Sequence, residues 1–256
     1  MMGEPTCVTK SLGIQALLWM AEGVPREKSM DRWKNRHSRL LLGLPTLEEY
    51  RQLHLAQDSP GVWPAVPGVE TKIPPDRRVD GVAEATFGSL AAPRRGRAQA
   101  LRAQEDEFRN FRRSLLYVGG RHATRWYEVA GTDETQTWLY VLFRYRNGVG
   151  PQRFRDFVRH DLVADLHDCA LLTELRTQLF MPWSRALWNS PHVDHDNPPD
   201  QRFHASMILG FADEEQRAEF LAGPVPEVLA AGLTAHVSAV HAYEAVAHRF
   251  TAAPSG

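Results

Sequence analysis

The chain has 256 residues and a formal net charge of −1, with 43% of residues hydrophobic and 24% charged. Such a balance describes a globular protein able to bury a real core. It gives no electrostatic reason to expect a nucleic-acid or anionic-membrane partner, since both need a clustered positive field. No apolar stretch approaches the ~20 residues of a membrane span, and the N-terminal segment lacks the basic and apolar regions of a signal peptide. The two cysteines, Cys7 and Cys169, are too few for a disulfide framework. A cytoplasmic protein is expected.

In chain order, "IQALLWMA" (14–21) is a short apolar run suited to a central strand, and "GVPR" turns the chain into a helix. Met30, Trp33, His37, Leu40, Leu41 and Leu44 recur at three- and four-residue steps, so they form one stripe that faces a sheet. Gly43 and Pro45 end that helix. "LEEYRQLHLA" (47–56) gives a second strand and "GVAEATF" (81–87) a third. The basic run Pro93 to Arg97 reads as a solvated loop or helix start, "AQALRAQEDEFRNF" (98–111) as a helix, and "TRWYEV" (124–129) as a fourth strand. The order is β-α-β-β-α-β, the ferredoxin-like motif.

The same text then recurs. Arg36-His37 is echoed by Arg159-His160, Trp63 by Trp188, the "EGV" turn at Glu22 by "NGV" at Asn147, and "PPDRRVDGVAEATF" from Pro74 by "PPDQRFHASMILGF" from Pro198. "WLYVLFRY", "QRFRDFVRHDLVADL", "LLTELRTQLF", "FHASMILGF", the helical region from "DEEQRAEFLAG" to "EVLAAG", and "AYEAVAHRF" repeat the element order. The polar stretch Ala130 to Gln136 is the linker. The chain is therefore read as an α+β protein of two tandem ferredoxin-like units, residues 11–131 and 132–253. Each unit leaves one apolar sheet face open, so the two cover each other, sheet to sheet, as a sandwich or barrel with helices outside and a pocket in each half between helix and sheet.

Trp33, the Arg36-His37 pair with "LLLGLPTLEEY" after it, and "DGVAEATFGSL" resemble the EthD family of the dimeric α/β barrel superfamily. The resemblance covers most of residues 14–129 directly and the second half through the repeat. Ser38-Arg39 stands where the family has Gly-Pro, and no tryptophan precedes His160. The resemblance implies a fused dimeric α/β barrel and chemistry of the kind found among cofactor-free decarboxylases, dehydratases and cyclases of aromatic polyketides. More distant relatives are monooxygenases and haem enzymes.

His37, central in the helix stripe, is the expected acid-base catalyst, since an imidazole titrates near neutrality. A core histidine bonded to a backbone carbonyl is the structural alternative. Trp33, one turn earlier, would wall a pocket for an aromatic ring, unless it is a plain core anchor. Strand alternation puts Tyr50, Gln52 and His54 on one face. With Glu84 from the third strand, they would bind substrate, and His54 would assist His37; Glu84 is otherwise an ordinary exposed polar residue. Laying Phe154 and Phe157 over Met30 and Trp33 puts Asp161, not His160, at the place of His37. "PHVDHDNPPD" (191–200) offers His192, Asp194, His195 and Asp196 as metal-type ligands without zinc-motif spacing. It reads as a pocket-mouth or solvent loop, with no metal and with His192 and His195 dispensable to stability. No cofactor is expected, and the partner is a hydrophobic small molecule; a homodimer is allowed. The favoured reading is a cofactor-free lyase, dehydratase or cyclase. A haem-dependent or oxygen-using enzyme and a non-catalytic carrier are the alternatives.

Overall fold

A computed structural model describes residues 5–91 and 95–250. Part of the basic run, the first four residues and the end of the 132–253 unit thus lie outside the described residues. The first half carries β1 (Cys7–Lys10), β2 (Leu12–Met20), α1 (Arg26–Arg32), a π turn (Trp33–His37), α2 (Ser38–Leu41), β3 (Leu47–Leu55), β4 (Gly81–Phe87), α3 (Arg97–Glu107) and β5 (Phe111–Tyr127). The second carries β6 (Thr137–Tyr145), α4 (Pro151–Asp156), a π turn (Phe157–Asp161), α5 (Leu162–His167), β7 (Glu174–Phe180), β8 (Ala205–Phe211), α6 (Glu214–Ala222), α7 (Pro224–His236) and β9 (Val237–Phe250).

The strands run β5-β2-β4-β3 in the first half and β9-β6-β8-β7 in the second. Antiparallel pairing of β3 with β9 and of β5 with β7 joins the two runs at both edges. The result is an α+β fold with a closed antiparallel barrel, β1 extending its rim along β5. Closure removes the exposed sheet edges that would otherwise template aggregation. The halves therefore meet strand to strand around one wall, which decides for the barrel between the sandwich and the barrel that apolar patterning left open. That patterning reports which faces are buried but says nothing of how edges pair.

The barrel interior is filled by Leu17, Leu53, Val82, Tyr140, Leu142, Ile208 and Tyr243 with their neighbours. Charge lines part of it. Arg51, fully buried, lies 2.7 Å from Glu84 and 2.6 Å from Glu174, and Arg176 lies 2.8 Å from Glu174 and 3.0 Å from Glu49. Burial works against charge on Arg51, but Glu84, Glu174 and Glu49 overcome it and raise its pKa. Burial likewise favours neutral Glu174, yet Arg51 and Arg176 hold it at about 2. The network links β3, β4 and β7, and so ties one half to the other. Removing one member of such a buried set costs ~3–5 kcal/mol, because its partner is left uncompensated.

Two long loops cross between the halves. Glu70, in the β3–β4 loop, bridges to Ala239 of β9, and Asp194, in the β7–β8 loop, bridges to Arg113 of β5. Sequence patterning placed β2, β3, β4, β6, β7 and β8 closely. It missed β1 and the first three quarters of β5, where "FRRSLLYVGGRHA" reads as a helix end and a connector. Long arginine stems there blur the alternation, and a tighter turn, in which Asn110 N–H donates to Glu107 O, closes the α3 region.

Candidate functional site

The helix stripe is built as its spacing requires, with a π turn at its centre. Trp33 and His37, the ends of that turn, are both buried against the outer face of the sheet. π turns widen a helix locally and re-aim side chains. Gly81 makes the packing feasible, for a Cβ there would lie 2.5 Å from the Trp33 ring. Phe111 meets Trp33 edge-on at 5.9 Å and His37 edge-on at 5.6 Å.

Between helix and sheet a cavity of about 50 Å³ remains. Ala16, Ala83 and Ala85 form its floor, Trp33, His37 and Tyr50 part of its wall, and Glu107 and Trp188 another side. The small floor residues make the space. Trp188 comes from the β7–β8 loop, so the second half completes a cavity in the first.

Four ionisable side chains meet here. His37 Nδ1 is 3.3 Å from Asp106 Oδ2, and Arg32 lies 2.6 Å from Asp106 Oδ1. The His37 hydrogen bond and then Arg32 hold Asp106 at about 2, against the effect of burial. An ionised Asp106 accepts the Nδ1–H of His37, and Nε2 has no hydrogen-bond partner among the described residues. Glu107 is 3% exposed, and burial pushes it up to about 7; hydrogen bonds from Ser190 Oγ and from Trp188 Nε1 at 2.9 Å and the charge of His37 only partly offset this. A carboxyl group poised near neutrality and a histidine oriented by a carboxylate thus line one apolar space.

The other expected residues are distributed around this centre. Tyr50 lines the cavity, its hydroxyl pushed well up by burial. Gln52 lies behind it, donating to Tyr50 Oη and to Trp33 O, both at 3.0 Å. His54 stacks on Trp33 at 4.7 Å and 14°, with Nε2 3.1 Å from Gln52 Oε1, so the indole stands between it and the cavity. Burial, with His248 and Lys34 nearby, lowers His54 to about 3. Glu84 is not brought to the site. Its register partner is Arg51, whereas Tyr50 pairs with Ala85 and Gln52 with Ala83, so Glu84 shares the interior face with Arg51. Asp106, Glu107 and Ser190 had no local signal: the acidic run at the end of α3 reads as a solvated face until α3 is packed against α2.

In the 191–200 loop, His195 is 1% exposed and both ring nitrogens are engaged, Nδ1 with Ser114 O at 2.6 Å and Nε2 accepting from Ser190 N at 2.8 Å. The expectation that His195 is dispensable is thereby corrected: it pins the loop that carries Trp188 and Ser190. His192 is exposed. Among the described residues, no group of three metal-type side chains is clustered, and no helix is long and apolar enough to cross a membrane. A larger cleft, about 280 Å³, lies in the second half and shares no residue with the His37 cavity.

No protein-family model matches the chain, and no curated protein is significantly similar to it. Solved structures do share its fold. An anthrone oxidase-like protein matches with a TM-score of 0.57 and 7% identity over 97% of this chain and 100% of its own. A candidate monooxygenase of Lactobacillus acidophilus matches at 0.54 and 10% identity, over 95% and 97%. A candidate monooxygenase of Fusobacterium nucleatum matches at 0.54 and 5% identity, over 98% and 96%. At such identities the likeness shows the fold alone.

Proposed function

We propose that the chain is a small-molecule enzyme of the EthD type, two tandem ferredoxin-like units (11–131 and 132–253) fused into one barrel, acting on a hydrophobic aromatic or polyketide-like substrate by acid-base catalysis without a cofactor. The observation that carries the proposal is the pairing of His37 and Glu107 in one apolar cavity. In a dehydration or dehydrative cyclisation, His37 Nε2 takes the proton from carbon next to a carbonyl. The electron pair forms the new double bond, the C–O bond breaks, and protonated Glu107 gives its proton to the departing hydroxyl as water. Asp106 holds the imidazole and stabilises its charged form, as a carboxylate does behind any histidine base. Trp33 and Tyr50 orient the ring, Gln52 fixes both of them, and His54 backs Trp33 as a positioning residue.

The cavity of about 50 Å³ holds on the order of a few waters. Admitting a fused ring requires Trp188 to swing away with its loop; admitting a haem would require parting the helix from the sheet. The names of the neighbours favour a second reading, an oxygen-using enzyme on the same residues, with His37 generating a carbanion that reacts with O₂.

The test is turnover of hydroxylated aromatic ketones by His37→Ala and His160→Ala, with melting temperature and oxygen uptake followed in parallel. His37→Ala is expected to lose ~10²- to 10⁴-fold in rate while staying folded, and His160→Ala to change little. Unchanged rate per folded molecule in His37→Ala, with stability lowered by ~1–3 kcal/mol, would assign His37 a structural role. Stoichiometric oxygen uptake would select the second reading.

A further inference from the structure

The two halves close their barrel mouths differently. In the first, Met20 N donates to Asp80 Oδ2 at 2.8 Å, and Arg26, the first residue of α1, clamps Asp80 at 3.1 Å and Leu55 O at 2.7 Å. In the second, Tyr145 N donates to His204 Nδ1 at 3.3 Å in the corresponding place, and the first residue of α4 is Pro151, which has no guanidinium to offer. The mouth is left open as the cleft of about 280 Å³.

Its lining combines flat apolar surface with unneutralised cations. Trp183, Phe203 and Tyr145 supply the first, and Arg155 and Arg202 the second, with the Arg202 guanidinium 5.3 Å over the Trp183 ring. Beside it a second space of about 190 Å³ shares Arg155, Phe180 and Met181 and adds Arg121 and Arg159. Among the described residues no carboxylate pairs with any of these four arginines. Burial, with Arg125 and Arg155 nearby, makes Arg159 easier to deprotonate than a free arginine, and Tyr127 and Asp156 only partly oppose this. His204 is held neutral by burial and by Arg144 and Arg202, at about 4. With Nδ1 accepting from Tyr145, its Nε2 carries a proton that no acceptor among the described residues takes.

We propose that this cleft is a second small-molecule site, taking an aromatic organic anion whose ring lies against Trp183 and Phe203 and whose carboxylate or phosphate is held by Arg155 and Arg202. Guanidinium groups match both anions in a bidentate fork, and indole faces take planar rings. The site is independent of His37.

Calorimetric titration of the full chain with naphthoate, naphthyl phosphate and neutral naphthalenemethanol tests it. At least one anion should bind one-to-one, roughly ten-fold or more tighter than the alcohol, the preferred anion identifying carboxylate or phosphate as the natural group. Arg155→Gln with Arg202→Gln should weaken it by roughly ten-fold or more. Arg155→Gln alone, at an exposed position, should give a smaller loss with an unaltered melting temperature. Filling the other cavity by Ala83→Met should leave anion affinity unchanged. Anions binding no better than the alcohol, arginine variants binding as the unaltered chain does, or loss of binding in Ala83→Met would each overturn the proposal.

Discussion

Beneath the helices, Ala16 faces Ala83 and Ile14 faces Ala85 in the first half, where Val141 faces Met207 and Leu139 faces Leu209 in the second. Tyr50 and Gln52 of β3 correspond in register to Leu175 and Thr177 of β7. The π turn that buries His37 ends, in the second half, on exposed Asp161. The crossing loops follow the same division. Trp63 is buried among the second half's apolar side chains, whereas Trp188 caps the cavity in the first through a hydrogen bond to Glu107. One backbone plan thus serves twice, once as a packed core and once as a chamber. The difference is a few methylene groups at the floor and the choice of side chain at the helix. Packing density leaves no middle course: a helix held at that distance from a sheet is either filled or hollow.

The comparison breaks most sharply if the floors are exchanged. Met207→Ala should open a cavity in the filled half and cost ~2–5 kcal/mol, read by chemical denaturation, while leaving turnover intact. Ala83→Met should fill the hollow half, abolish turnover and cost at most ~1–3 kcal/mol from overpacking. Turnover surviving in Ala83→Met would move the reaction out of the His37 cavity.

Glu107 sharpens the comparison through pH, because the filled half carries no counterpart to it. Unfolded, this carboxyl ionises near 4.5; folded, at about 7. Between those values the folded state keeps a proton that the unfolded state has lost. Its stabilising contribution is therefore complete below the lower value and is lost as pH rises through the upper one. Glu107→Gln should remove that dependence and gain on the unaltered chain by up to ~3 kcal/mol between about pH 5 and about pH 8. Melting curves that stay parallel over this range would show that Glu107 is not held protonated.

The smallest effect concerns the loop over the chamber. His195→Ala should cost ~1–3 kcal/mol, since it leaves Ser114 O and Ser190 N without their buried partner, and His192→Ala should fall within ~0.5 kcal/mol of zero. Equal melting temperatures for the two would mean that the loop is not fastened through His195.

How much of this was legible beforehand differs from element to element. Strand alternation at Tyr50, Gln52 and His54, and the helical spacing of Met30, Trp33 and His37, are properties of the chain's own geometry, and the sequence determines them because each residue's face follows from its neighbours along the chain. The repeated Pro-Pro-Asp, which opens a 3-10 turn in both halves, and the repeated glycine turns at Gly23 and Gly148, both at positive φ, were equally local. What tertiary structure alone decided lies between segments distant in sequence. Register put Glu84 with Arg51 inside the barrel, the placing of α3 turned Asp106 and Glu107 from a solvated face into one ionised and one proton-holding carboxyl, and loop exchange brought Trp188 to the first half with His195 fastening its loop. No periodicity records such contacts, because burial and the electrostatics it creates depend on which surfaces meet, and this chain meets itself only once the barrel has closed.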